Sequence, residues 1–254
     1  MIKESLYFSF AGRKSSEFGI TSVSIQSGLF EEPFMGSRSI RESTVRGNPR
    51  PYLTEVETSP KTLTLSFFFE ENYNDELLNE VTRWLNVSYY EPLFFSENLN
   101  KIFYAMPVDN ISLIHNGLKQ GYLDLSMRCD SPFSYSPEIV TSWKDCSKGE
   151  LDIILENKGT ELLKPIIQIK KITDGDLIIQ NVSNGGIEFK FNNLNAGEEL
   201  VVDCEYEEID VNLTNTWRYD NFNGNYLSLP FGKNRLKVFG TCYLRFIYRH
   251  TYSN

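Results

Sequence analysis

Apolar and polar residues alternate at every second position through most of this chain, and that period predicts strands. The clearest case is T-L-T-L-S-F-F-F-E, which sets Leu63, Leu65, Phe67 and Phe69 on one side and Phe68 on the other. Leu6, Phe8 and Phe10 share one face of a first strand that Gly12, Ser15 and Ser16 end, and Val23 and Ile25 mark a second. Further strands are expected near Ile102–Tyr104, Ser112–Ile114 and Tyr122–Cys129. Beyond Gly149, Leu151, Ile153 and Leu155 alternate before N-K-G-T turns the chain. P-I-I-Q-I, D-L-I-I-Q, G-I-E-F-K-F, E-L-V-V-D, Y-L-S-L and R-L-K-V-F-G then follow with Gly, Asn and Asp between them, the spacing of a β-sandwich. The last segment, T-C-Y-L-R-F-I-Y-R-H-T-Y, puts Leu244, Phe246 and Tyr248 on one face and Arg245 and Arg249 on the other.

Two stretches break the alternation. From Asp75 to Asn86, Leu77, Leu78, Val81, Trp84 and Leu85 recur at helical spacing and form one apolar stripe, a core-facing helix. Asn74 is placed to cap it, with Asp75 and Glu76 in the first turn where the dipole favours acids. From Glu31 to Tyr52 the chain is irregular and rich in arginine: Arg38, Arg41, Arg46 and Arg50 lie close together, with Phe34, Met35 and Ile40 as apolar anchors. Loops of that length in compact domains are usually functional or disordered. Within this one S-R-S-I-R-E-S-T-V reads as an extended arm or an open hairpin.

The whole is a mainly β chain of two β-sandwich domains, the first carrying the helix and the arm. A boundary between Ser131 and Gly149, where prolines and polar residues gather, divides it into residues 1–135 and 136–242. The segment from about residue 243 to 254 either closes the second sandwich or returns to complete the first domain. The 254 residues carry a net charge of −9, which argues against a general nucleic-acid binder. Cys129, Cys146, Cys204 and Cys242 show no C-x-x-C pairing and read as buried free thiols. The first residues read as a strand and not as a signal peptide, and no apolar run approaches the roughly 20 residues that span a bilayer, so no membrane insertion is expected.

Several segments, taken in order, resemble the distal tail proteins of long, flexible-tailed bacteriophages, most closely the short form from phages of Bacillus and related hosts. In the first half they are F-S-F-A-G-R-K-S-S-E-F-G-I, the R-S-I and R-G-N-P pieces of the arm, N-E-V-T-R-W-L, E-P-L-F-F-S and L-D-L-S-M-R-C-D-S-P-F-S-Y-S-P. In the second half they are L-E-N-K-G-T-E-L-L-K-P-I-I-Q-I, G-D-L-I-I and L-P-F-G-K-N-R-L. The resemblance implies a hexameric, ring-forming baseplate hub in the virion, at the distal end of the tail. Its arm grips the next subunit, one face docks on the major tail tube protein, and the other carries the tail-tip or tail-associated lysin protein. DNA passes through the central channel without specific binding. The second domain is implied to be galectin-like, or like a carbohydrate module.

Catalytic chemistry is sparse. His115 and His250 stand in separate strand-like stretches, and H-E-x-x-H, G-x-S-x-G and Gly-rich phosphate loops are missing from the sequence. The acidic run Asp203–Glu208 is a possible carboxylate site for glycoside hydrolysis or Ca²⁺, but acids at a strand end more often discourage edge pairing. Trp143 and Trp217 are either sugar-stacking platforms or packing residues, while Trp84 belongs to the helix stripe. No enzyme activity, cofactor or metal is expected. The rival to a structural part is a carbohydrate-binding or receptor-binding module that contacts the host cell wall.

Overall fold

The computed structural model describes residues 5–23 and 32–253, Asn110 by its backbone alone. The chain forms two compact units, Met1–Tyr135 with Ser253–Asn254, and Ser136–Tyr252. Both are mainly β. In the first, chain order gives β1 (Phe8–Phe10), β2 (Arg13–Lys14), β3 (Ile20–Ser22), β4 (Arg38–Ser43), β5 (Tyr52–Thr58), β6 (Thr62–Phe69), α1 (Asp75–Leu85), β7 (Glu91–Phe95), β8 (Asn98–His115), β9 (Gly121–Cys129) and β10 (Ser134–Tyr135).

Seven of these strands follow the order β2-β1-β7-β8-β9-β6-β3, and every pairing along that path is antiparallel. The Ser22 N–H donates to the Leu6 carbonyl at 2.8 Å, so β3 at one end of the path reaches back to the residues before β1 and the sheet curls around its own core. The alternation in β6 and β9 fills that core. Leu63 sits opposite Met127, Leu65 opposite Leu125 and Phe67 opposite Leu123, all buried. Phe68, on the other face, packs against Tyr122 with ring centroids 5.5 Å apart.

The helix forms where its stripe predicts. Asn74 Oδ1 accepts the Leu77 N–H at 2.8 Å, and Val81, Trp84 and Leu85 are buried, with Leu77 and Leu78 half-buried against the same core. Trp84 joins helix to sheet. Its ring stacks on Phe18 (4.5 Å) and Phe8 (5.5 Å), and its Nε1–H donates to the Phe10 carbonyl at 2.8 Å.

Two expectations for this half need correction. Leu6 is exposed, because regular pairing begins only at Phe8 and the buried side chain before it is Ser5, whose hydroxyl accepts the Glu97 N–H. The separate strands near Ile102–Tyr104 and Ser112–Ile114 are one strand of 18 residues. Its pairing with β9 shifts register between Val108 and Ser112, and Asp109 takes a positive φ there, so a bulge within a continuing strand takes the place of the gap between two strands. Strand β7 was not anticipated. Ile25 lies outside the described residues.

The second unit contains β11 (Ile139–Val140), β12 (Lys144–Asp145), β13 (Glu150–Asn157), β14 (Ile166–Lys171), β15 (Gly175–Asn181), β16 (Ile187–Leu194), β17 (Glu199–Asp203), β18 (Glu208–Val211), β19 (Gly232–Phe239), β20 (Cys242–Tyr248) and β21 (Thr251–Tyr252). One sheet runs β11-β20-β14-β17-β18, with β12 also pairing β20, and the other runs β13-β19-β15-β16. Their facing rows interlock as one cluster: Ile167, Ile169, Leu244 and Phe246 with Leu177, Ile179, Leu236 and Val238. Of the two places open to the last long strand, Cys242–Tyr248 takes the one beside β14, with Ile139–Val140 and Lys144–Asp145 on its other edge.

Tyr226–Leu229 is not the strand its alternation suggests. Leu227 and Leu229 are buried, but the segment makes only an isolated bridge between Leu229 and Leu163. Buried asparagines take its carbonyls instead: Asn157 Nδ2 donates to Leu229 at 2.9 Å and Asn181 Nδ2 to Ser228 at 3.1 Å. The loop before it is pinned by a buried ion pair, Arg218 Nε to Glu198 Oε1 at 2.6 Å, with Glu198 Oε2 also accepting the Asn195 N–H.

Two stability measurements test these anchors. Trp84→Phe keeps the stacked ring but orphans the Phe10 carbonyl, and is expected to cost about 1–3 kcal/mol in denaturant unfolding; Trp84→Ala is expected to cost about 3–5 kcal/mol. Glu198→Gln leaves the Arg218 charge uncompensated inside the second unit and is expected to destabilise by about 3–5 kcal/mol.

Candidate assembly site

The Arg-rich arm is a β-hairpin. Among the described residues, strands β4 and β5 pair only with each other and form a two-stranded sheet of their own. The reading that ended the arm at Tyr52 missed its second half, since Tyr52 opens the returning strand to Thr58. The signal was present in Y-L-T-E-V-E-T, which alternates like the other strands. Glu31 lies outside the described residues.

Local chemistry explains the shape. Gly47 turns the tip with a positive φ, the Asn48 N–H donates to the Val45 carbonyl at 3.0 Å, and Asn48 Oδ1 accepts the Arg50 N–H at 3.0 Å. At the base, the Ser59 N–H donates to the Ser37 carbonyl at 2.8 Å. Gly36 beside it is buried, and a Cβ there would lie 2.5 Å from Pro132 Cβ, so only glycine fits.

Cross-strand register sorts the side chains onto two faces. Ile40 stands opposite Val56, and past a bulge between Arg41 and Glu42 Leu53 follows on the same side, opposite Glu42, while Ser43 and Tyr52 fall on the other. The other face carries Arg41, which bridges Glu57 and Glu55, the latter at 3.7 Å. Both faces are open. Ile40 is 62% exposed, Leu53 61% and Tyr52 59%, and Phe34 in the approach to β4 reaches 73%. Met35 is exposed beside it, as are Arg38, Arg46 and Arg50, for which no ion pair is formed among the described residues. Of the seven predicted arm residues, Arg38, Ile40, Arg41, Arg46 and Arg50 lie on the hairpin and Phe34 and Met35 in the segment leading to it, while the five helix residues pack on the core of the first unit.

The remaining chemical candidates do not form a reaction centre. His115 is exposed at the end of β8, whereas His250 is buried in the second unit. The acidic run is the β17–β18 turn, where Asp203 Oδ1 accepts the Glu205 and Tyr206 N–H groups, and Glu205 and Glu207 point to solvent. Trp143 is flanked by Arg245 at 4.8 Å and Lys170 at 5.4 Å from its ring centre. Trp217 is 78% exposed. Among the described residues no three His, Cys, Asp or Glu side chains are grouped to hold a metal ion, and no helix is long and apolar enough to cross a membrane.

Comparison with known proteins adds the family. Residues 3–131 match the family model described as the phage tail protein N-terminal domain, and residues 133–248 match the phage tail C-terminal domain. The chain is 36% identical over 252 residues to an uncharacterised SPbeta prophage-derived protein of Bacillus subtilis strain 168, covering 99% of this chain and 100% of the relative. Among solved structures it is similar to the SPP1 Dit protein, titled a paradigm of the hub adsorption apparatus in phages infecting Gram-positive hosts (TM-score 0.70, 14% identity, 96% of this chain and 98% of that one). It is also similar to a chain of the phage P2 baseplate in its activated conformation (TM-score 0.52, 5% identity, 96% and 97% covered).

His250 generates a pH prediction. Its Nδ1 accepts the Lys158 N–H at 3.3 Å, which requires a neutral imidazole, and burial, helped by the Lys158 charge, pushes its pKa down. With the folded value below the unfolded one, this contribution is present above the unfolded pKa near 6.5 and is lost as pH falls through the folded value. Unfolding measured across the weakly acid range is expected to show a steeper loss in the wild type than in His250→Asn, whose Oδ1 accepts the same bond without titrating.

Proposed function

Because this chain belongs to the phage tail protein family, we propose that it is a structural part of the tail tip: a hub that assembles head to tail into a hexameric ring. In this reading the ring joins the tail tube protein on one face to the tail-tip or tail-associated lysin protein on the other, and DNA leaves through its channel. The likeness of fold to the SPP1 hub protein supports the architecture.

The observation that carries the assembly is the hairpin Arg38–Thr58. An isolated two-stranded ribbon is at best marginally stable in water, and three or more strands or a covering layer are needed for independent stability. This one has neither among the described residues, yet it bears an exposed apolar row of Ile40, Val56 and Leu53. A neighbouring copy supplies the missing layer. The chain has 34 acidic residues, and an acidic neighbour suits Arg38, Arg46 and Arg50, whose guanidinium forks match carboxylates. A ring needs such a heterologous contact, one surface meeting a different one.

The glycan-binding reading has less support. The ring of Trp143 already engages Arg245 and Lys170, and its sugar-facing role would displace them. The chain is read as non-enzymatic because the family it belongs to is one of phage tail proteins, and its two histidines, His115 and His250, fall in different units.

The triple substitution Arg38→Ser, Arg41→Ser, Arg46→Ser is expected to leave far-UV circular dichroism unchanged and to abolish rings in negative-stain microscopy, alone or with the tube and tip proteins of the phage. Intact rings would remove the hairpin from the interface, and a globally unfolded variant would mean that it belongs to the core.

A further inference from the structure

Three reactive side chains lie in one row across the inner face of the second unit's larger sheet, and the assembly reading uses none of them. The β14–β20 register sets Lys171 opposite Cys242. The β12–β20 register, carried one residue past Asp145, sets Cys146 opposite Cys242 from the other side. The Cys146 N–H donates to the Cys242 carbonyl at 2.9 Å. Directly opposed residues of that hydrogen-bonded kind have Cα atoms about 5.5 Å apart, inside the range of roughly 4.4–6.8 Å that a disulfide spans.

Both cysteines are free, and all three side chains are buried. The two thiols hydrogen bond each other, and the Lys171 ammonium, donating to the Asp176 carbonyl at 2.9 Å, favours the thiolate at either one. Burial opposes it, pushing Cys242 up to about 12 and Cys146 up as well. Access distinguishes the pair. Cys242 lies in a strand flanked on both sides, whereas Cys146 follows a two-residue edge strand and precedes the exposed Ser147 and Lys148. Short edges open at low cost compared with a core strand.

We propose that Cys146 and Cys242 form a dithiol that closes to a disulfide on meeting a small-molecule disulfide, stapling the edge segment Ile139–Asp145 to β20. The Cys146 thiolate attacks one sulfur of the reagent, forming a mixed disulfide and expelling one thiolate. Cys242, losing its proton, then attacks the Cys146 sulfur and expels the second. Two protein thiols are oxidised and one reagent disulfide is reduced to two thiols, so atoms and electrons balance. The step converts a sheet edge held by hydrogen bonds into a covalent one when the protein leaves a reducing compartment.

The test uses the full chain, folded, with oxidised glutathione at mildly alkaline pH. Two of the four thiols are expected to be lost, with a Cys146–Cys242 link in the peptide map and a rise in Tm that dithiothreitol reverses. Cys242→Ser is expected to trap one glutathione on Cys146, while Cys146→Ser leaves Cys242 unmodified. Retention of all four thiols, an unresolved adduct in the wild type, or a link that uses Cys129 or Cys204 overturns the proposal.

Discussion

A strand buries a row of side chains only where a second layer covers it, and that constraint organises both units of this protein. In the first, the sheet supplies its own cover by curling until Ser22 reaches the Leu6 carbonyl, and α1 closes the core through Trp84. In the second, two sheets cover each other, with Ile167, Ile169 and Leu244 facing Leu177, Leu236 and Val238. The hairpin Arg38–Thr58 obeys the same alternation and has no such layer among the described residues. In the proposed reading, what is a packing rule elsewhere becomes an assembly demand there.

Alternation made most of this legible in advance. Leu63 to Phe69, the helix stripe and the rows of the second unit required only period-counting, because burial on one face leaves a direct mark on composition. The failures have physical causes. The bulge after Val108 is invisible to periodicity, since polar residues within a strand look like residues between strands. Y-L-S-L alternates but lies as a buried irregular segment, because Asn157 and Asn181 supply the bonds a neighbouring strand would have given. Side-chain partners that arrive from distant positions leave no local trace.

The candidate site was half legible. Arginine clustering in an acidic chain marked β4, and the closure of the hairpin by β5 was missed because Leu53 and Val56 are interleaved with acids that suit a solvated loop equally well. Those acids matter, because they change what the arginines can do. Arg41 is already bridged to Glu55 and Glu57, so its charge is largely answered within the ribbon and, exposed as it is, adds little by itself. Arg38, Arg46 and Arg50 are not answered in this way and carry the ribbon's outward charge.

The base of the hairpin completes the logic. Gly36 admits no side chain, because Pro132 and the Ser59 carbonyl already occupy the space, and Ser37 is bonded to Ser59 on the returning strand. The ribbon is therefore fixed where it leaves the first unit and open everywhere beyond. A projection anchored in this way presents the same apolar row and the same guanidinium groups from every copy. No layer among the described residues covers that row, and in the proposed assembly the next copy supplies it. In the proposed ring the ribbon of each copy meets a different surface of the next, and a fixed base keeps the angle of each joint the same. A constant angle excludes an irregular aggregate, and it gives a ring where the rotation closes and an open filament where it does not.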